Sequence, residues 1–366
     1  MDGRALVVVF LRGGADGLSL VAPTGDPAYH RARPTLALTA GAGHRLDARF
    51  ELHPLLAPLA PFFASGQLAV VHACGSDDDT RSHFVAQDLM DHGGTTVAGG
   101  WLGRFLRHTQ GDGGLGVLDA VNLGAAVGEC LRGAPTATAL TALSELGDDG
   151  DPRLLAGLAA LTGGDPLLGG PALTALAASR RLEELRRAPD LPEHGATYPT
   201  AAPHGGVAAD FGARLRLVAR LLKGGVGLRA ACVDLEGWDS HFVQDTVLPP
   251  RLTALGQGLA AFATDLGADL ERVSVVVYSE FGRRVAENTS LGTDHGRGGA
   301  CLVLGGGVRG GVHGAWAGLE GDALAGPGDV PVLNDFRDVL WPVLRRHGAS
   351  AAEAVFPGFA SRPLAL

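Results

Sequence analysis

The stretch Val273–Tyr278, with the sequence VSVVVY, constrains the fold of this chain more than any other. Its β-branched residues follow one another without polar alternation, which is typical of a strand buried on both faces in a parallel sheet. The run stops at Ser279-Glu280, and Asp294-His295 follow within a glycine-rich segment. Ligands of open α/β sheets bind beyond the carboxyl ends of the strands. Glu280, Asp294 and His295 are therefore candidates for chemistry.

Three further stretches predict strands, the first of them another buried apolar run, and each is also followed by side chains that can do chemistry. The runs are Ala5–Leu11, followed by Asp16, then Leu68–Ala73, followed by Thr80-Arg81-Ser82-His83, and Leu228–Leu235, followed by Asp239 and His241. Strands alternate with helical patterns through most of the chain, which predicts an α/β fold with a largely parallel sheet. Since parallel strands end at one edge, four such groups favour a shared site.

The second of these groups lies at the start of a predicted helix. A helix N-terminus has unpaired N–H groups and a favourable dipole, so Thr80 or Ser82 there would be well placed beside an anion. Serine and threonine are also ordinary N-cap residues, which is the structural alternative. Arg81 can bind two oxygens of a phosphoryl or sulfuryl group at once.

The mixture of carboxylates and imidazoles predicts a divalent metal site. Oxygen and nitrogen ligands in similar numbers suit Zn²⁺, Mn²⁺ or a similar ion. Asp239 and His241 are two residues apart, so both side chains point the same way on an extended segment. Such a pair is common in loops, and Asp16 could equally form an Asx-turn. A hydroxyl beside the metal would be a candidate nucleophile.

Composition narrows the class of protein. The 366 residues are long enough for one large α/β domain, and residues 99–206, rich in Ala, Leu, Gly and Pro, predict an inserted or capping region within it. A net charge of −9 without a basic run argues against nucleic-acid binding. No apolar stretch approaches the ~20 residues of a membrane helix. Without a signal peptide, we expect a cytoplasmic protein, or an exported one if a leader has been removed.

Five strings together resemble a known family. They are LVVVFLRGGADGLSLVAP, LAVVHACGSDDDTRSHFVAQDLM, GWDSH, SEFGRRVAEN and GTDHGRG. They are similar to the bacterial domain-of-unknown-function 1501 (DUF1501) family, which is placed in the alkaline phosphatase/sulfatase superfamily. The resemblance implies a three-layer α/β/α sandwich with a mostly parallel sheet. It also implies metal-assisted hydrolysis or transfer of phosphate or sulfate esters through a hydroxyl nucleophile.

The resemblance assigns roles to individual residues of this chain. Asp16 resembles the first-strand aspartate that binds one metal. Ser82, with Thr80 as second choice, lies where the superfamily nucleophile begins a helix. Asp239 and His241 resemble ligands of the other metal ion. The implied substrate is a small-molecule or polymer ester.

One position departs from the superfamily pattern. His295 resembles the histidine that completes the second metal site, but the usual Asp-His pair is replaced by Glu280-Phe281. One nitrogen ligand is therefore missing unless Asp294 or His83 substitutes for it. The departure leaves room for a single metal, or for a harder ion such as Mg²⁺ or Ca²⁺.

Two functions remain open at this point. The first is a metal-dependent hydrolase of phosphate or sulfate esters that uses the hydroxyl at the helix N-terminus. The alternative is a catalytically degenerate member that binds a partner or has a structural role, which the Glu280-Phe281 replacement favours. Bound metal would separate them.

Overall fold

The computed structural model describes residues 3–110, 116–143, 152–162, 164–165, 169–200 and 207–366. The strands in these residues are β1 (Ala5–Arg12), β2 (Val21–Ala22), β3 (His44–Arg45), β4 (Glu51–Leu52), β5 (Leu68–Gly75), β6 (Ala120–Asn122), β7 (Thr138–Ala139), β8 (Ala230–Glu236), β9 (Val273–Tyr278), β10 (Gly299–Gly305), β11 (Gly311–His313) and β12 (Asn334–Asp335). The helices are α1 (Gly17–Leu20), α2 (Pro27–Ala32), α3 (Ala60–Ala64), α4 (His83–Asp91), α5 (Trp101–His108), α6 (Pro152–Thr162), α7 (Gly169–Arg187), α8 (Val207–Lys223), α9 (Gln244–Leu266), α10 (Phe336–Arg346) and α11 (Ala352–Val355).

One large sheet organises the fold. Its strand order is β11-β5-β10-β9-β1-β8-β6-β7, with β12 also paired to β5. Strand β10 runs antiparallel to both of its neighbours, and the other pairings in this sheet are parallel. The predicted α/β class with a mostly parallel central sheet is thus confirmed. A small antiparallel sheet, β2-β4-β3, lies beside it.

Strand β1 shows why the apolar runs lack alternation. Leu6, Val8 and Phe10 pack into a core that includes residues of α5 and α10. Val7 and Leu11 pack into a second core that includes residues of α8 and α9. Each face of the sheet is therefore covered by helices, and both alternating sets of side chains must be apolar. Burying one such side chain stabilises the fold by roughly 1.5–3 kcal/mol.

The predicted elements occur close to their expected bounds. The opening stretch forms β9 over the predicted range, Val273–Tyr278. The proline-containing segment from His53 to Ser65 is a 3₁₀ turn, Pro54–Leu59, followed by the short helix α3, as the prolines predict. Helix α9 tolerates two internal prolines, Pro249 and Pro250.

Residues 99–206, predicted to form an inserted or capping region, contribute two strands to the large sheet. These strands, β6 and β7, extend the sheet beyond β8. Helices α5, α6 and α7 also fall in this range, and the rest of it lies partly outside the described residues. The division of the chain into domain and insertion stays a prediction. No helix in the part of the chain that the structure describes combines the length and apolarity needed to cross a bilayer.

The parallel strands bring the four predicted groups to one edge of the sheet. β1, β5, β8 and β9 run in the same direction, so their carboxyl ends lie together. Because β10 is antiparallel, its beginning lies at that edge too, directly after His295. Residues distant in sequence therefore meet beyond the strand ends.

Candidate metal centre

Three histidines converge on one carboxylate oxygen at this edge. The Nε2 atoms of His241, His295 and His83 lie 3.0, 3.3 and 3.5 Å from Asp239 Oδ1. The Nε2 atoms of His241 and His295 are 2.9 Å apart. The four residues come from the segments after β5 and β8 and before β10. The structure thus brings together four of the seven predicted metal ligands.

Two of the histidines have their outer nitrogen fixed by an acceptor. His83 Nδ1 donates to Glu280 Oε1 at 2.8 Å, and His295 Nδ1 donates to the carbonyl oxygen of Arg81 at 2.8 Å. A carbonyl oxygen can only accept, so the Nδ1 atom of His295 carries the proton. In the neutral ring the Nε2 lone pair then points inward. This is the arrangement in which proteins hold metal-ligating histidines.

The third histidine has a similar but longer contact. His241 Nδ1 lies 3.5 Å from Asp294 Oδ1. Asn288 donates through Nδ2 to this carboxylate oxygen at 3.1 Å and to the carbonyl oxygen of His241 at 3.0 Å. The hydrogen bond from Asn288 lowers the pKa of Asp294. Asp294 therefore supports His241 from outside the cluster.

The inward nitrogens fit a cation. His83 Nε2 is buried and has no hydrogen-bond partner. The ligand atoms of His83, Asp239 and His295 all lie within 4.8 Å of one another. The Nε2 atoms of His241 and His295 are 2.9 Å apart, and two free lone pairs at this distance would repel each other. A divalent ion, or an added proton, would relieve this repulsion.

Arg283 fixes the carboxylate at the centre of the cluster. Its buried guanidinium donates to Asp239 Oδ1 at 2.7 Å, to Gly14 O at 2.6 Å and to Thr293 O at 3.0 Å. Burial alone would raise the pKa of Asp239, but the hydrogen bond and charge of Arg283, with the nearby histidines, lower it to about 2. One arginine therefore connects three loops of the site. Sequence reasoning found no role for it beyond structure.

Glu280 supports the cluster and does not join it. Its carboxylate accepts hydrogen bonds from His83, from Gly13 N at 2.9 Å, from Gln87 Nε2 at 2.7 Å and from Ser279 Oγ at 2.9 Å. Burial raises the pKa of Glu280, but the bonds from His83 and Gln87 outweigh burial and lower it. In turn, the bond to Glu280 raises the pKa of His83. The carboxylate is thus ionised and holds the histidine.

Phe281 stands where the sequence resemblance led us to expect a histidine. Its buried ring lies 4.8 Å from the ring of His83 and 5.0 Å from that of His295, measured between centroids. It supplies an apolar surface against which both imidazoles pack. His83 on α4, one of the two substitutes that the sequence left open, lies within the cluster, and its role as a ligand stays a prediction.

Asp16 lies in a buried ion pair. Arg33 contacts both of its oxygens, at 2.5 and 3.0 Å, and Ser19 and Gln244 each donate to Oδ2 at 2.6 Å. Burial would raise the pKa of Asp16, but Arg33 lowers it. Its role as a metal ligand stays a prediction, and the structure does not place it with the three histidines. Neither Arg33 nor Gln244 carries a sequence signal for this pairing.

The predicted catalytic residues surround the start of α4. Ser82 is the N-cap residue, and its side chain makes no capping hydrogen bond. Thr80 Oγ1 is exposed and donates to Asp78 Oδ2 at 2.9 Å. The guanidinium of Arg81 pairs with buried Asp329 through Nε at 2.9 Å, so its charge is partly committed. Arg81 also has a φ of 53°, which is rare for a residue with a side chain. The carbonyl oxygen of this same residue accepts the hydrogen bond from His295.

A second group of residues also offers metal-binding atoms. Asp88, His92 and Glu129 lie within 4.8 Å of one another through their ligand atoms. Arg132 Nη1 contacts Glu129 Oε1 at 2.7 Å, and the Asp88 side chain is largely exposed. Its single histidine, His92, has its Nδ1 atom 2.8 Å from the carbonyl oxygen of Asp88, one helical turn earlier.

The comparison with protein families gives one match. The family described as "Protein of unknown function (DUF1501)" matches residues 60–341. The matched range contains every residue of the histidine cluster. No curated protein matches the chain.

Proposed function

The chain belongs to the DUF1501 family, and we propose that it is a metal-dependent hydrolase of phosphate or sulfate esters. We also propose that its sheet, with helices on both faces and a site at the strand ends, is an alkaline phosphatase/sulfatase-type fold. The substrate is an ester of a small molecule or of a polymer. These proposals rest on the chemistry of the site.

The observation that carries the proposal is the orientation of the three histidines. His83, His241 and His295 direct Nε2 toward Asp239 Oδ1, and each Nδ1 faces an oxygen acceptor outside the cluster. Side chains that only stabilise a fold do not need three inward lone pairs beside a carboxylate. A metal site does need them.

The donor set favours a single ion of the Zn²⁺ or Mn²⁺ type. Three imidazoles with one carboxylate suit such ions better than Mg²⁺ or Ca²⁺, which prefer oxygen ligands. Glu280 and Asp16 have their oxygens bound by other side chains, so a second ion would have few ligands. A bound ion would polarise the ester and stabilise its developing negative charge.

Ser82 is the proposed nucleophile. It directly precedes His83 and occupies the N-cap position of a nine-residue helix. Its hydroxyl makes no capping hydrogen bond. The helix N-terminus favours the negative charge of the ester. Ser82 Oγ forms a bond to phosphorus or sulfur while the bond to the alcohol oxygen breaks, and the serine proton leaves on the alcohol. Water then attacks the serine ester, returns a proton to Ser82 and releases phosphate or sulfate. Arg81 would have to exchange Asp329 for the substrate to bind its oxygens, so we assign the anion chiefly to the helix end.

One observation favours the alternative, a degenerate member without catalysis. The Arg283 guanidinium already neutralises Asp239 at 2.7 Å. In a degenerate site this charge could take the place of the ion. Under this alternative His241 and His295 would serve as partners of the Asp239 carboxylate, but the buried His83 Nε2, which has no hydrogen-bond partner, would have no role. We therefore prefer the hydrolase.

Hydrolysis of p-nitrophenyl phosphate and p-nitrophenyl sulfate tests the proposal. Protein treated with a chelator should lose activity, and Zn²⁺ or Mn²⁺ should restore it. Ser82→Ala and His83→Ala should each abolish the restored activity. A metal-loaded protein that turns over neither ester, or that is unaffected by both substitutions, would contradict the proposal.

A further inference from the structure

Among the described residues, the only exposed phenylalanine, tyrosine or tryptophan side chains are two that directly follow site histidines in the sequence. Phe84 is 89% exposed and follows His83, and Phe242 is 66% exposed and follows His241. The other described side chains of these three types are at least partly buried. Two large apolar surfaces left in water at one site indicate that something covers them in use.

Phe242 belongs to a surface ridge, formed by Phe242, Val243 and Leu291, in which two residues have unusual backbone angles. The next residue, Val243, has a φ of 37°, and Leu291 has a φ of 57°. Such angles are sterically disfavoured for side chains of this kind, most of all for a β-branched valine. Both side chains are about half exposed. The fold therefore maintains disfavoured backbone angles where it presents apolar groups to solvent.

Hydrogen bonds fix this ridge to the metal centre. Val243 N donates to Ser290 O at 3.0 Å, and this bond joins the segment of Phe242 and Val243 to the segment of Leu291. Asn288 Oδ1 accepts from Ser290 N at 2.9 Å, and its Nδ2 donates to His241 O at 3.0 Å. The apolar groups are thus held in a constant relation to the histidines. Such a fixed surface beside a polar site is suited to one half of an amphiphilic ligand.

We infer that Phe84, Phe242, Val243 and Leu291, which we name the apolar rim, bind the alcohol part of the substrate. The substrate is then an aryl or long-chain alkyl phosphate or sulfate, with its charged group at the histidines and its apolar group on the rim. This inference rests on the proposed function and specifies its substrate class.

Charge distinguishes this occupant from a membrane. The exposed Asp77 and Asp79 lie shortly before Phe84, Asp88 follows it one helical turn later, and the chain carries a net charge of −9. An anionic lipid surface would be repelled at this position. A divalent ion held by the histidines would instead attract a single small anion.

Calorimetry with stable analogues tests the inference on the Zn²⁺-loaded protein. The probes are two pairs that differ only in the apolar group: phenylphosphonate with methylphosphonate, and benzenesulfonate with methanesulfonate. In whichever pair binds, we expect an affinity for the aryl analogue about tenfold or more above that for the methyl analogue. In the double variant Phe84→Ala/Phe242→Ala this ratio should fall below about threefold, with methyl-analogue binding unchanged.

Controls separate the possible failures. Leu191→Ala removes another exposed apolar side chain, one beside Asp265 near the far end of α9, and should leave the ratio unchanged. Equal binding of aryl and methyl analogues would overturn the inference while leaving the proposed function standing. If no analogue binds to metal-loaded protein, the proposed function fails, and the inference with it. The inference would also be overturned if the wild-type protein bound phosphatidylcholine vesicles, the double variant did not, and the wild type showed no preference for the aryl analogues.

Discussion

Glu280 and His83 are 197 residues apart in sequence and form a 2.8 Å hydrogen bond beneath the candidate metal centre. The glutamate is buried, ionised and saturated with donors, and the histidine presents its other nitrogen, unpartnered, to the cluster. A carboxylate in this position makes the imidazole a better ligand and fixes its direction. Glu280, which departs from the pattern that the sequence resemblance implies, thus supports a candidate ligand.

Replacing Glu280 with glutamine should shift metal binding to lower pH. The carboxylate raises the pKa of His83, so protons compete with the metal above the ordinary imidazole pKa of about 6.5. Without that charge, the pKa of His83 falls and the ion is retained in more acidic buffer. In buffer alkaline enough to deprotonate His83 in both proteins, affinity should instead fall roughly 10–100-fold. Competition with a chromophoric chelator from pH 5.5 to 8.5 measures both effects, and an unchanged pH midpoint would contradict this role of Glu280.

The same pair should make the metal-free protein sensitive to pH. Because the pKa of His83 is raised on folding, the pair adds stability that is fully present below about pH 6.5 and is lost as the pH rises through the raised pKa. The lowered pKa of Glu280 keeps the carboxylate ionised at the acidic end of this range. Urea unfolding of chelated wild-type and Glu280→Gln proteins at pH 6 and 8.5 should show this loss in the wild type alone.

Asp16→Asn should destabilise the fold without removing the metal. The change leaves the Arg33 guanidinium buried without its counter-charge, which typically costs about 3–5 kcal/mol. Chemical denaturation gives the free energy of unfolding, and elemental analysis of the folded variant gives the metal content. If Asp16 is a ligand, as the sequence resemblance implies, the metal content will fall instead, and the ion-pair interpretation will be wrong.

Ser82→Ala and Thr80→Ala should differ strongly in their effect on ester hydrolysis. Loss of a nucleophile should lower kcat by a hundredfold at least, on the order of what such substitutions cost elsewhere. Thr80 is exposed and bonded to Asp78, so its loss should change kcat by less than about threefold. Equal losses in the two variants would show that the loop, and not the Ser82 hydroxyl, is what activity requires.

Much of the fold follows from local patterns in the sequence. Buried strands such as Val273–Tyr278 are apolar on both faces because helices cover both sides of the sheet. This is a regularity that sequence periodicity reports directly. The convergence of the strand ends at one edge follows from parallel pairing alone. The amino-acid sequence by itself therefore suffices to place Asp239, His241 and His295 in one site.

The roles within the site could not be predicted in the same way. Whether a carboxylate binds an ion or supports a histidine depends on distances of a few ångströms between loops. Glu280 and Asp294 look alike in sequence to Asp239, but their oxygens face Nδ1 atoms. The partner of Asp16 is Arg33, which no spacing rule identifies. Burial and long-range hydrogen bonds decide these roles, and neither is a property of local sequence.

The metal content of purified protein tests the central claim most directly. After loading with Zn²⁺ and exhaustive dialysis, elemental analysis should find about one ion per wild-type chain. His295→Ala should lose it, whereas His92→Ala, in the second group of possible ligands, should retain it. Circular dichroism confirms that both variants are folded. Wild-type protein without bound metal, or a His295→Ala variant that retains it, would contradict the account.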